Sequence, residues 1–348
     1  MSSEDLFEVD SQLGRGDIVV DDDNDSALGE TWDDDDTKSL SSSVMKYKWE
    51  HGRRYHAYQD GSYWGPNDQR QLDAEDFVHS MFLTILDGRL YLAPIRKDPH
   101  AVLDVGAGTG IWTIEFAEQH PSAEVTGIDL SPIQPSIVPI NVRFEVDDAN
   151  LDWTYPFSHF DFVHTRMLTG CVPSWPDYYR KVRRHLKPGG WAEQVELSVR
   201  TLSDDGTITE DMPFTTWEKV FTVAGEATGK TFFACELAAG AMREAGLVNV
   251  KEIRLKLPVG RWPKDETLKM WGTWCRAFLT DAIEGFGLRM MTGVMGWSYE
   301  QTQIFFAEMR KHLLDPKIHG YVEMAVVYGQ EPPEREEEEG YGTLEPEV

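Results

Sequence analysis

The sequence is short of cysteine: Cys171, Cys235 and Cys275 are the only three in 348 residues, widely spaced and without a CxxC pair. An odd, scattered set excludes a disulfide framework and the usual zinc ribbons, and it fits a reducing compartment. Long apolar runs are missing too. No stretch reaches the roughly 18 residues needed to cross a bilayer. The opening MSSEDLFEVD lacks the apolar core of a secretory signal. Residence inside the cell, cytoplasmic or nuclear, is the expectation, with no membrane partner. Cations are scarce, 33 Lys and Arg against 60 Asp and Glu, for a formal charge of −27. Direct nucleic-acid binding needs clustered Lys and Arg on phosphate, so that class is disfavoured.

The acidity is concentrated at the two ends. Residues 1–43 hold 14 acidic and 2 basic side chains, and residues 331–348 hold 8 and 1, leaving only −8 for the stretch between. DDDNDSALGETWDDDDTKSLSSS at 21–43 offers little apolar surface to offset the entropy of ordering, so both ends are expected to be disordered. Solvation and docking of a basic partner both remain open as the use of the arm.

Between the ends the pattern is organised. Residues 44–96 are an aromatic, turn-rich stretch that passes, from about Gln69, into helical spacing of Leu72, Phe77, Met81, Phe82, Ile85 and Leu86. Strand-like runs then alternate with helical ones: strands at 101–106, 124–130, 142–148, 160–166 and 191–199, and helices at 110–120 and 175–186. In the first of these helices Ile111, Ile114 and Ala117 are expected to face inward. The second is expected to stop at KPGG (187–190). Two more strands, 249–260 and 320–329, flank a helical insert at 262–318 rich in Trp and Met. Alternation of this kind predicts an α/β fold, a parallel sheet covered by helices on both faces, in a domain spanning 97–330. The insert's Trp271, Trp274, Phe278, Phe286, Met290, Met291, Met295 and Trp297 read as core, or in part as an adaptable pocket.

VLDVGAGTG (102–110) places three glycines between a strand and a helix start. Gly106 and Gly108 let the backbone turn tightly and approach a ligand, while the helix opening at Gly110 presents free N–H groups. Asp129, at the end of the next strand, is positioned to accept hydrogen bonds from ribose hydroxyls. The spacing is GxGxG rather than the dinucleotide GxGxxG, which disfavours a nicotinamide oxidoreductase. Asp104 precedes the first glycine: it would repel a pyrophosphate but attract an ammonium group. A ligand with ribose, adenine, carboxylate and ammonium fits, and that is S-adenosylmethionine. Asp148 is expected on the adenine amine, with Asp147 as its rival, and Leu130 on the adenine face.

Taken together, LDVGAGTG, GIDL, VDDA and LKPGG resemble the class I S-adenosylmethionine-dependent methyltransferases. Across roughly 47–330, with HGRRYHAYQDGSYWGPND, GIDLSPIQP and HGYVEMAVVYGQ, the chain resembles more narrowly the LaeA-like family of fungal methyltransferases. That resemblance implies a Rossmann-like seven-stranded sheet with the helical insert before the last strand. It also implies methyl transfer in secondary metabolism to a small-molecule acceptor, at oxygen or nitrogen. The alternative it implies is a regulator acting through velvet-type protein partners, with protein or self methylation.

Methyl transfer needs orientation and, for a protonated acceptor, a base. VHTR, at the end of the fourth strand, offers His164 and Arg166 as catalytic candidates. His164 reads as a base, an orienting group or a core histidine, and Arg166 as a clamp on a carboxylate. Tyr63, with Tyr55, His56 and Tyr58, is expected to fold over the cofactor as a lid.

Overall fold

The computed structural model describes residues 47–56, 58 and 63–334, so the expected acidic arm at 1–43 and residues 335–348 of the expected acidic tail lie outside it. The described chain opens with a hairpin of β1 (Lys48–Glu50) and β2 (Arg53–Tyr55), followed by α1 (Gln69–Ile85). Asp68 caps α1 by accepting from the Gln71 N–H and also pairs with Arg53 at 2.6 Å, which ties the hairpin to the helix.

Next come β3 (Ala101–Val105), α2 (Ile111–Gln119), β4 (Glu124–Asp129), β5 (Val142–Val146), β6 (Phe160–Arg166), α3 (Trp175–His185) and β7 (Leu186–Leu197). They are followed by α4 (Pro213–Thr228), α5 (Ala234–Glu244), β8 (Val248–Pro258), α6 (Glu266–Arg289), α7 (Tyr299–Leu314) and β9 (Tyr321–Gln330). The sheet runs β5-β4-β3-β6-β7-β9-β8, with β3 to β7 parallel and β9 antiparallel to both of its neighbours. The expected seven-stranded, Rossmann-like sheet is therefore present. The chain leaves β3 toward β4 and β5, then returns to place β6 on the other side of β3. Such a reversal opens a crevice at the carboxyl ends of the strands.

Alternation along the strands divides the core. Leu103, Val105, Val163, Ala192 and Val327 pack with α3 and α5 on one face. Val102, Val125 and Phe162 pack with Trp112 and Phe116 of α2 on the other. On that same side, Val195, Val322 and Met324 are covered by α1, α4, α6 and α7. Helices thus cover both faces. The insert consists of α6 and α7 joined through a π-helical turn at Met290–Val294. Phe278, Met290 and Met291 are buried, whereas Trp271, Trp274, Met295 and Trp297 are half-buried against the same core.

Two local expectations are corrected. The inward stripe of α2 is Trp112, Thr113, Phe116 and Ala117, while Ile111 and Ile114 are half-exposed. The stripe is rotated because Trp112 and Phe116 stack on each other and pack on Phe162. α3 stops at His185, just ahead of KPGG as expected, but the next strand starts before 191: β7 begins at Leu186, and the ladder with β6 shifts register between Phe160 and Phe162. The glycines are absorbed by that irregularity. No helix among the described residues is long and apolar enough to cross a membrane.

Candidate active site

At the β3/β6 reversal the glycine loop, the ends of β4 to β6, α1 and α6 line a cavity. Gly106 and Gly108 line it, with left-handed φ of 75° and 55°. A Cβ on Gly106 would come within 2.9 Å of Leu168, and one on Gly108 within 2.7 Å of a Glu75 carboxyl oxygen. A side chain at either position would have to displace a residue that lines the cavity. Gly110 is also left-handed, but it caps α2 against the Phe144 ring and lies outside the lining.

Asp129 lines the cavity at the end of β4. It accepts from the Gly108 N–H at 3.0 Å and the Ser131 N–H at 2.8 Å, so it also holds the glycine loop in place. Burial pushes its carboxyl up to about 6. Leu130, Asp147 and Asp148 line the same wall. Asp148 is the more buried of the two acids and accepts from both the backbone and side-chain N–H groups of Asn150.

Tyr63 lines the opposite side, next to Trp64, whose indole N–H donates to the Thr169 carbonyl at 2.8 Å. The other aromatics expected over the site are elsewhere. The His56 ring binds the backbone of Tyr58 and Tyr63, and Tyr55 lies under the Arg289 guanidinium.

The structure does not bring Asp104 or His164 to the cavity. They are register partners on β3 and β6, and strand alternation turns both toward α2. Asp104 accepts from Thr113 at 2.6 Å and from His164 Nδ1 at 2.8 Å. The His164 ring lies flat on the Trp112 indole, 3.7 Å between centroids, and burial lowers its pKa. A neutral imidazole packed into the core cannot meet a substrate in this geometry.

Arg166 does reach the lining. Its guanidinium donates to Nδ1 of His79 at 3.0 Å, and Nε2 of His79 faces Glu115 at 3.1 Å. That chain anchors a half-buried cation whose pKa desolvation pulls down and nearby acids support.

Glu75 is the residue that sequence reading missed. It sits on the cavity face of α1 against Gly108, with Gln71 as a hydrogen-bond partner at 3.3 Å. Burial and the charge of Asp129 push its carboxyl up to about 8. Next to it, Asp76 accepts from Thr109 at 2.7 Å, so two successive acids dock α1 on the glycine loop. The available signal was Gln71 and Glu75 at i, i+4 within an otherwise apolar stripe that continues to Val78 and Phe82.

The donor set suits a charged nucleoside amino acid: glycines that leave room, acids at two separate places, one half-buried cation and apolar walls. The profile of the methyltransferase-domain family matches residues 77–252. The chain is 39% identical over 302 residues to "Methyltransferase pytC" of Aspergillus terreus, covering 86% of this chain and 92% of that protein. It is 34% identical over 278 residues to "Secondary metabolism regulator LAE1" of Cochliobolus heterostrophus, covering 78% and 91%. It is 33% identical over 268 residues to "Probable methyltransferase tdiE" of Emericella nidulans, covering 76% and 84%. Strand order, glycine loop and these likenesses agree: the chain belongs to the LaeA-like S-adenosylmethionine-dependent methyltransferases of fungal secondary metabolism.

Proposed function

We propose that the cavity binds S-adenosylmethionine and that the enzyme methylates a small-molecule acceptor. Asp129 takes the ribose hydroxyls, Leu130 the adenine face, and Asp148 the adenine amine, with Asp147 beside it. Glu75, rather than the core-facing Asp104, takes the ammonium group. Arg166 takes the carboxylate, and Tyr63 covers the ligand. The observation that carries this reading is the cavity itself, whose lining gathers Glu75, Asp129, Asp148 and Arg166 around the glycine loop.

The cofactor, when bound, supplies a methyl group already activated on a sulfonium. The chain's own contribution is to hold two reactants in line and exclude water, an effect worth about 7–11 kcal/mol in favourable cases. Among the described lining residues there is no histidine or lysine. Proton acceptance therefore falls to the cavity carboxylates or to water, and His164 has no part in it.

Titration of S-adenosylhomocysteine by calorimetry tests the site. Micromolar binding is expected for wild type, with about a hundredfold loss in Asp129→Ala, as two charge-assisted bonds disappear. No heat with wild type, or equal binding by the variant, rejects the assignment.

A regulatory reading is favoured by one observation, that a relative of comparable similarity is named a secondary metabolism regulator. In that reading a velvet-type partner engages the chain, and the acidic residues 1–43 are the candidate arm. Incubating the enzyme with methyl-labelled cofactor and cell extract separates the two: label in the metabolite fraction supports the first reading, and label on protein the second.

A further inference from the structure

A second, smaller cavity lies between α6 and the β7–β9 part of the sheet. Trp217 of α4, Leu279 and Ile283 of α6, Leu197 of β7 and Val322 of β9 form its walls, and no charged side chain lines it among the described residues. Two of its hydroxyls are already engaged. Thr169 donates to the Phe232 carbonyl at 2.8 Å, and Ser198 donates to Glu236 at 2.7 Å. Met167, Phe278 and Phe286 line this chamber and the glycine-loop cavity alike, so three side chains stand between the two.

We infer that this chamber seats the methyl acceptor, and that the acceptor is an uncharged, largely apolar ring compound whose reacting atom projects past Met167. The inference rests on the cofactor placement proposed above. A charge or an unpaired amide would lose its hydration here without compensation, which excludes ionic metabolites and a threaded peptide backbone. Aromatic walls favour flat rings, which can pack edge-to-face or offset against Trp217, Phe278 and Phe286. Phe286 is steadied by Trp64 at 4.9 Å and by Phe278 in an edge contact at 6.2 Å, so that wall is preformed.

Met167 sits at the passage with a φ of 55°, rare for a side-chain-bearing residue, and its N–H donates to the Val195 carbonyl at 3.0 Å. Backbone strain of this kind persists where surrounding structure enforces it, commonly at ligand sites. A flexible thioether there adapts to ring outlines that a branched side chain would reject.

The test uses full-length enzyme with S-adenosylhomocysteine and three probes: 2-naphthol, 2-naphthoate and 2-naphthylmethylamine. Equilibrium dialysis should show 2-naphthol binding at least tenfold tighter than either charged analogue. Ala282→Phe, which fills the chamber from α6 without touching the cofactor cavity, should weaken 2-naphthol at least tenfold and change S-adenosylhomocysteine affinity less than twofold. Should that variant not fold, photolabelling of wild type with 2-naphthyl azide decides the matter: the label is expected on the tryptic peptide Ala277–Arg289. Label elsewhere, stronger binding of a charged probe, or 2-naphthol affinity indifferent to Ala282→Phe overturns the inference. Failure of S-adenosylhomocysteine to bind condemns the cofactor reading instead, and the label map still reports on the chamber.

Discussion

His164 donates through Nδ1 to Asp104 at 2.8 Å, across the seam between β6 and β3 and behind the glycine loop. The pair is buried, with both groups at 3% side-chain exposure or less, and the Thr113 hydroxyl is the other donor to Asp104. Removing the imidazole leaves a desolvated carboxylate with one of its two donors gone. His164→Ala should therefore lower unfolding free energy by about 3 kcal/mol. Cofactor affinity of the folded fraction should stay within about threefold of wild type. Urea titration and calorimetry check this, and a variant with normal stability but no turnover would restore the imidazole as a base.

Glu75 sets a pH dependence. Its folded-state carboxyl sits at about 8 against an ordinary 4.5. Between those values the folded chain holds a proton that the unfolded chain has lost, so stability falls as pH rises through that window. Glu193 and Glu196, also buried and pushed up to about 7 and about 8, slope the same way. Glu75→Gln should make the decline of melting temperature from pH 5 to pH 8 shallower. At pH 7 an arriving ammonium should expel the Glu75 proton. Calorimetry in buffers of different ionisation enthalpy should then show proton release in wild type and less of it in Glu75→Gln, with roughly tenfold weaker binding.

Gly108 tolerates no side chain for two separate reasons. Its φ of 55° is unfavourable for an alanine by about 1–2 kcal/mol. The added methyl also drives the Glu75 carboxyl from its place. Gly108→Ala should fold with a modest loss in melting temperature and lose cofactor binding by more than tenfold. Gly88→Ala is the control: its φ of 74° carries similar strain, but no atom lies within 4 Å of the new methyl. That variant should lose stability alone.

Cys171, Cys235 and Cys275 are all buried, and burial pushes each thiol upward, Cys275 to about 12. Native protein treated with iodoacetamide at pH 8 should show no added mass, and three alkylations only after unfolding. Early modification of Cys171, which lines the glycine-loop cavity, would show that the reagent reaches it through that cavity.

Much of the sheet was legible because buried parallel strands write themselves as short apolar runs between glycine and proline breaks. β6 begins and ends at Phe160 and Arg166 as expected. Asp129 was legible for a local reason, since the end of the strand after the glycine loop points at that loop. Asp104 was not, because one residue decides which face of a strand a side chain takes. A penultimate position, in register with His164, sent it toward α2 instead of the ligand. Glu75 was hidden for the opposite reason. Its role depends on α1 docking against a loop more than thirty residues away, and helical spacing carries no information about that partner. The rotated stripe of α2 and the early start of β7 show the same limit, since aromatic packing and ladder register override local punctuation.

Phe278 and Phe286 stand two turns apart on one face of α6, and both chambers share them as a partition. With both guests placed as proposed above, a common partition gives each a path by which to sense the other. Whatever factor by which one tightens the second must be returned in full, since linkage between two equilibria is symmetric. Any such coupling would run through these two rings of α6.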